Sequence, residues 1–279
     1  AGLPSGTRAG GKIMRGCRLL RAAIAIALLA ALTNPSPVSA QSGTWSSAGV
    51  TSWNNTARWT GAVVAGGTNN TATFTVGGTA SLLSNIVLGN LTTGGTRVQI
   101  RSGTQPNYVD LTNEQIEFAT NSGTPTISNT GRLDMFAIIA GSQGLQKSGA
   151  GTLYLNRPNT YTGVTTITAG QVRLAQNNGL GDSSPGNGTV IQSGAQLRLD
   201  NASTSSGVTG IQTNEPFTIA GDGASNLGAL RSENGTGNAF NGPITLAGNA
   251  SIKASAAAPL ALGGAINVGS NTLSLDDSG

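Results

Sequence analysis

The chain has 279 residues, a formal charge of +4, no histidine and one cysteine. Without histidine there is no Ser-His-Asp or Cys-His nucleophile system and no His-ligated metal site, and a single cysteine cannot close an internal disulfide. Charged residues are 9% and aromatics 4%, while the 42 glycines are double the usual ~7% share; such a composition can mean disorder, and the regular apolar doublets argue against it.

Residues 1–13 (AGLPSGTRAGGKI) precede Met14 and read as an upstream translated extension; the alternative is a genuine lengthening of the basic leader. Met14–Ala40 reads as a secretory signal peptide. Arg15, Arg18 and Arg21 form its basic start, Ala22–Leu32 is an uninterrupted apolar run, and Val38-Ser39-Ala40 is a small-residue cleavage site before Gln41. The run is too short for a membrane helix, which needs about 20 apolar residues. Cys17 precedes the apolar run, whereas a lipoprotein cysteine would follow it.

Removing this leader changes the charge argument. Five of the 15 basic residues (Arg8, Lys12, Arg15, Arg18, Arg21) precede residue 40, so ten basic face 11 acidic residues in the mature part. The high pI belongs to the leader, and nothing basic remains to suggest nucleic acid. The cysteine leaves too, so stability must come from packing and hydrogen bonds.

Residues 41–144 read as an N-terminal cap followed by the first irregular coils. All three tryptophans, Trp45, Trp53 and Trp59, fall at its start. Strand signals follow at Ala72–Val76, Ala80–Leu83, Ile86–Leu88 and Val98–Ile100. Large aromatics suit the covering of an open apolar end; the alternative is a glycan platform, with the indoles stacked on sugar rings. Asn113–Ala119 (NEQIEFA) is the best helix candidate after residue 41, and Leu133–Ala140 (LDMFAIIA) can be a buried strand.

The most regular stretch is 145–181. Leu153 and Leu155 alternate with Thr152 and Tyr154, Val164–Thr168 is β-branched throughout, and Val172 and Leu174 alternate with Gln171 and Arg173. Alternation places the apolar members on one face of a strand. Gly170-Gln171-Val172-Arg173-Leu174 is echoed in Gly194-Ala195-Gln196-Leu197-Arg198-Leu199. Spacings of 19 residues from Leu155 to Leu174 and 25 from Leu174 to Leu199 suit one full coil each.

Lys147-Ser148-Gly149-Ala150-Gly151-Thr152-Leu153, Asn159-Thr160-Tyr161-Thr162-Gly163, Thr165–Leu174 and Gly179-Leu180-Gly181 together resemble the autotransporter-associated β-strand repeat of bacterial surface proteins. The resemblance implies an exported, passenger-type protein carried over the outer membrane by a C-terminal β-barrel, with glycans or host-surface ligands as partners. Residues 145–279 then form the repeat region. Its doublets continue to Leu273/Leu275, and Gly263-Gly264 and Gly269 read as corners between faces of one coil. The chain reads as the N-terminal part of a longer protein.

The expected fold is therefore all-β, a right-handed parallel β-helix (β-solenoid) behind a cap and signal peptide. Six layers are expected from residue 145 onward; a meander of hairpins is the rival. No catalytic, cofactor-binding or metal-binding residue is assigned. Asp182 and Asp200 read as turn formers. The expected function is a non-catalytic, adhesin-like structural passenger at the cell surface. The alternatives are a carbohydrate-binding protein using Trp45, Trp53 and Trp59, or a polysaccharide-degrading β-helix enzyme.

Overall fold

The computed structural model describes Gly2 and residues 40–103, 113–201 and 210–277. The chain divides into two units, 1–37 and 38–279, and the fold below is that of the second. The leader assigned to 14–40 lies, apart from Ala40, outside the described residues.

The strands stack in parallel, layer upon layer, on three faces. The first face starts at Gly43–Trp45 and passes through Gly67–Phe74, Thr126–Asn129, Leu145–Ser148, Thr165–Ile167 and Phe217–Gly221 to Ile266–Asn267. The second starts at Val50–Ser52 and passes through Thr152–Leu155, Gln171–Leu174 and Gln196–Asp200 to Leu273–Asp276. The third is shorter and includes Gln115–Phe118, Ile138–Ala140 and the ladder Gln212–Thr213, Asn238–Phe240, Leu260–Leu262. Every strand ladder among the described residues is parallel; the two antiparallel pairings are the isolated bridges Gln41–Gly66 and Trp45–Trp59. This is a β-solenoid.

The register follows the sequence expectation at its centre. Leu155 pairs with Leu174, and Leu174 with Leu199. Leu153, Leu155, Val172, Leu174, Leu197 and Leu199 all enter one buried core. The meander fails at Thr152–Leu155 and Thr165–Ile167, which pair with other layers and not with each other. Six layers of the first face lie beyond residue 144, at about 4.8 Å each. The ladders cross residue 144 without a break, since Leu145–Ser148 pairs with Thr126–Asn129 and Thr152–Leu155 with Leu133–Phe136.

The helix candidate Asn113–Ala119 is instead the strand Gln115–Phe118, with Ile116 and Phe118 buried and Glu117 exposed. Ile116 and Ala119, three apart, fit a helical period, while Ile116 and Phe118, two apart, fit a strand; pairing with Ile86–Leu88 decides for the strand. Among the described residues helix is confined to the 3₁₀ turns Thr56–Arg58, Thr60–Ala62 and Ala224–Asn226.

Two repeat glycines explain their own places. A Cβ on Gly151 would run into the carbonyl oxygen of Gly131 in the adjoining layer. Gly170 has φ +67° and a Cβ there would lie 2.5 Å from the carbonyl oxygens of Gly149 and Gly151. The corner therefore stacks backbone on backbone, which only glycine permits.

Candidate functional site

The repeat corner is built around Lys147. It occupies an inward position between Leu145 and Leu153 and is buried. Its Nζ donates to the carbonyl oxygens of Ser148 and Gly149, each at 2.8 Å, and of Ala169 at 3.1 Å. Three donors thus meet three acceptors, one of them in the next layer. Burial pushes the ammonium down from 10.5 to about 8, which leaves it mostly charged at neutral pH.

Asn159 ties the third face together. Its Oδ1 accepts from the Ile139 N–H at 2.8 Å in the preceding layer, and its Nδ2 donates to the Gly179 carbonyl at 2.6 Å in the following one. Beside it Tyr161 fills the core, with its hydroxyl 2.8 Å from Thr165 Oγ1. Burial raises the phenol well above its ordinary value. Glu215 lies in the same corner, 3.4 Å from Thr189 Oγ1. Its burial pushes the carboxyl up to about 8, against the Thr189 hydrogen bond and with a further contribution from Asp182. Glu215 is therefore largely protonated at neutral pH.

The second face carries the charges. Asp134, Tyr154, Arg173, Arg198, Arg231, Lys253 and Asp276 stand in one outward column of register partners. Asp134 takes Arg97 at 2.6 Å and Arg132 at 2.7 Å; Asp200 takes Arg173 at 2.7 Å and Arg198 at 3.2 Å. Arg231 pairs with Glu233, and Lys253 with Asp276 at 3.2 Å. Tyr154 lies between two guanidinium groups, Arg132 at 3.8 Å and Arg173 at 4.7 Å from the ring centre. Asp182 is a turn former, accepting from Ser184 and Asn187. Asp200 is not: it is the buried counter-ion of two arginines, a role that its place after an alternating strand does not reveal.

The three tryptophans come together in the first layers. Trp45, Trp53 and Trp59 are 0, 1 and 3% exposed and surround Phe74, with ring centres 5.1–5.8 Å apart. The Trp53 indole donates to the Ala65 carbonyl at 2.9 Å and that of Trp59 to the Trp53 carbonyl at 2.7 Å. Their faces are occupied by one another.

Among the described residues no group of three or more His, Cys, Asp or Glu could hold a metal ion, and no helix is long and apolar enough to cross a membrane. One cleft lies on the last layer, lined by Ile252, Leu260, Leu262 and Leu275 beside the Lys253–Asp276 pair. Its walls mix these aliphatic side chains with the charged groups of Lys253, Asp276 and Asp277.

The corner just described, from Lys147 through Asn159 and Tyr161 to Leu174, coincides with a known repeat: residues 145–174 match the passenger-associated-transport-repeat family. The chain carries a passenger repeat. A longer similarity is to the autotransporter adhesin BmaC of Brucella suis biovar 1 (strain 1330), 28% identical over 179 residues, 63% of this chain. The match spans 5% of the adhesin's own length. No solved structure matches the chain. Within the passenger repeat, Lys147, Gly149, Gly151, Asn159 and Tyr161 thus act through hydrogen bonds and packing in and between layers.

Proposed function

We propose that this chain is part of an exported, non-catalytic passenger of autotransporter type, a stiff support that holds adhesive surface outside the cell. One observation carries the reading: the passenger repeat at 145–174 sits mid-way in an uninterrupted parallel stack. Such a stack needs no cysteine and few charges, because each strand is hydrogen-bonded on both sides. In this reading residues 14–40 are a cleaved signal peptide, the tryptophan cluster caps the first layers, and translocation uses an outer-membrane β-barrel. The carboxylates of the second face support the non-catalytic reading, since Asp134, Asp200, Glu233 and Asp276 are each held by a cation. Burial of Trp45, Trp53 and Trp59 speaks against a sugar platform there and moves adhesion to the outward faces.

The test is display of the full-length protein in a Gram-negative cell. Antibody against residues 145–279 should label intact cells, and N-terminal sequencing of the exported product should begin at Gln41. Labelling only after permeabilisation, or a product that retains Arg15, overturns the proposal.

A further inference from the structure

The first face differs chemically from the second. Its outward residues form two columns fixed by the strand register. One runs from Thr71 through Thr126 and Thr166 to Asn267, nine positions; the other runs from Thr44 through Thr92 to Ser148, five positions. These 14 positions hold eight threonines, two serines, two asparagines, one glutamine and one valine, Val190. None is charged and none is buried. The second column continues through Thr168, whose N–H donates to the Lys147 carbonyl, and Gln192, whose N–H donates to that of Ile167. The hydroxyls of Thr73, Thr92, Ser128, Ser148 and Thr166 make no hydrogen bond among the described residues. Backbone donors and acceptors are used within the ladders, so side-chain hydroxyls and amides are what this face offers a partner.

We infer that the first face is a docking strip for a neutral, hydroxyl-rich polysaccharide chain. The strip lacks the lysines and arginines that a polyanion requires. It also lacks the large apolar side chains of a membrane-seeking surface. Eight layer steps of about 4.8 Å make it about 38 Å long, and two residues along a strand separate the columns by about 7 Å. Its area is on the order of 400 Å², half of the ~800 Å² per partner in a stable protein interface. That is too narrow for a second copy and suits a single extended polymer. Threonine suits a pyranose edge, because its hydroxyl donates and accepts while its methyl packs on ring C–H groups. The layers are held rigid before binding, so little ordering opposes association.

The inference deepens the passenger reading by naming a partner, but its test is independent of where the cell places the protein. The purified full chain is run in native gels cast with dextran, with mannan or with heparin. Wild type should be retarded by at least one of the two neutral polymers and not by heparin. A Thr92→Val, Thr126→Val, Thr166→Val triple variant keeps side-chain shape and strand preference and should bind at least tenfold more weakly. Serine at the same three positions should restore much of the loss, and Thr152→Val on the second face should change nothing. Unchanged thermal unfolding of each variant shows that the fold is intact. No retardation by either neutral polymer, retardation by heparin alone, undiminished binding by the triple variant, or dimerisation in sedimentation in place of glycan binding would each overturn the inference. None of these outcomes bears on whether intact cells are labelled, so the two proposals fail separately.

Discussion

Arg173 Nε stands 2.7 Å from Asp200 Oδ2, and both side chains are almost wholly buried although they project from the outer side of the sheet. The Arg173 guanidinium also donates to the Asp200 carbonyl at 3.0 Å and lies against the Tyr154 ring. Alternation alone marks Arg173 as a tolerant surface position, and the structure corrects this. Removing Arg173 leaves buried Asp200 with its longer ion pair to Arg198, so the loss lies toward the lower end of the about 3–5 kcal/mol that breaking a buried pair costs. Arg173→Ala and Arg173→Asp should therefore unfold at clearly lower denaturant concentration than wild type. Thr152→Asp, at a half-exposed site on the same face, should stay within about 0.5 kcal/mol.

Leu174 stands between Leu155 and Leu199 in the core column. Leu174→Asp buries an unpaired charge and should cost at least about 4 kcal/mol, or prevent folding. Leu174→Ala leaves a cavity and should cost about 2–5 kcal/mol. Equal midpoints for Leu174→Ala and wild type in urea unfolding would reject the register.

How legible this was depended on what a sequence can encode locally. The Leu155, Leu174 and Leu199 column could be read because period-two alternation and the repeated glycine-strand echo report the same register. Arg173 could not, because outward direction and exposure come apart once Tyr154 and Asp200 cover it. Lys147 and Asn159 were visible as motif letters, while their bonds to Ala169, Ile139 and Gly179 exist only between layers. The hydroxyl strip was invisible for a related reason. Partners Leu155 and Leu174 are 19 residues apart but Leu91 and Ile127 are 36 apart, so no fixed period aligns the outward threonines.

Two buried titrating groups predict the pH dependence of stability. Glu215 is raised in the folded protein to about 8 from 4.5, so folding retains a proton that the unfolded chain releases. Its contribution is complete below about 4.5 and is lost as pH rises through about 8. Lys147 is lowered to about 8 from 10.5, so its contribution is present above about 10.5 and lost as pH falls through about 8. The melting temperature should fall between pH 5 and 8 in wild type and fall less in Glu215→Gln. Between pH 8 and 10.5, Lys147→Met should remove a rise that wild type shows. Parallel pH profiles for wild type and Glu215→Gln would show that this carboxyl does not titrate as described.

Glycine placement can be tested by adding one methyl group. Gly151→Ala drives a Cβ into the Gly131 carbonyl, a backbone atom that cannot swing aside, and should cost about 2 kcal/mol or more. Gly194, unlike Gly151, has positive φ, +84°, yet a Cβ there meets nothing within 4 Å. Gly194→Ala should then cost only the left-handed backbone penalty of about 1 kcal/mol. A larger loss at Gly194 than at Gly151 would mean that backbone strain, and not close approach of layers, fixes these residues.

The tryptophan cluster makes the last prediction. Trp53 donates to Ala65 and Trp59 to the Trp53 carbonyl, so these two rings are held by hydrogen bonds as well as by their neighbours, and Trp45 by its ring contacts. Trp53→Phe keeps most of the apolar volume but leaves the Ala65 carbonyl without its indole donor, a loss of about 1–3 kcal/mol. Trp45→Ala removes the ring stacked on Phe74 at 5.3 Å and should cost about 3–5 kcal/mol. If the cluster covers the first layers, the loss should be local as well as global. In Trp45→Ala, amide exchange should rise first in Gly43–Trp45 and Val50–Ser52, while Gln171–Leu174 keeps its protection at moderate destabilisation. Fluorescence gives an independent reading, because buried indoles emit at short wavelength and shift to the red only when these layers open. Adding neutral oligosaccharide should leave that emission unchanged, since any sugar contact lies on the hydroxyl strip and not on the rings. A sugar-dependent shift would return binding to Trp45, Trp53 and Trp59 and would require the cluster to open.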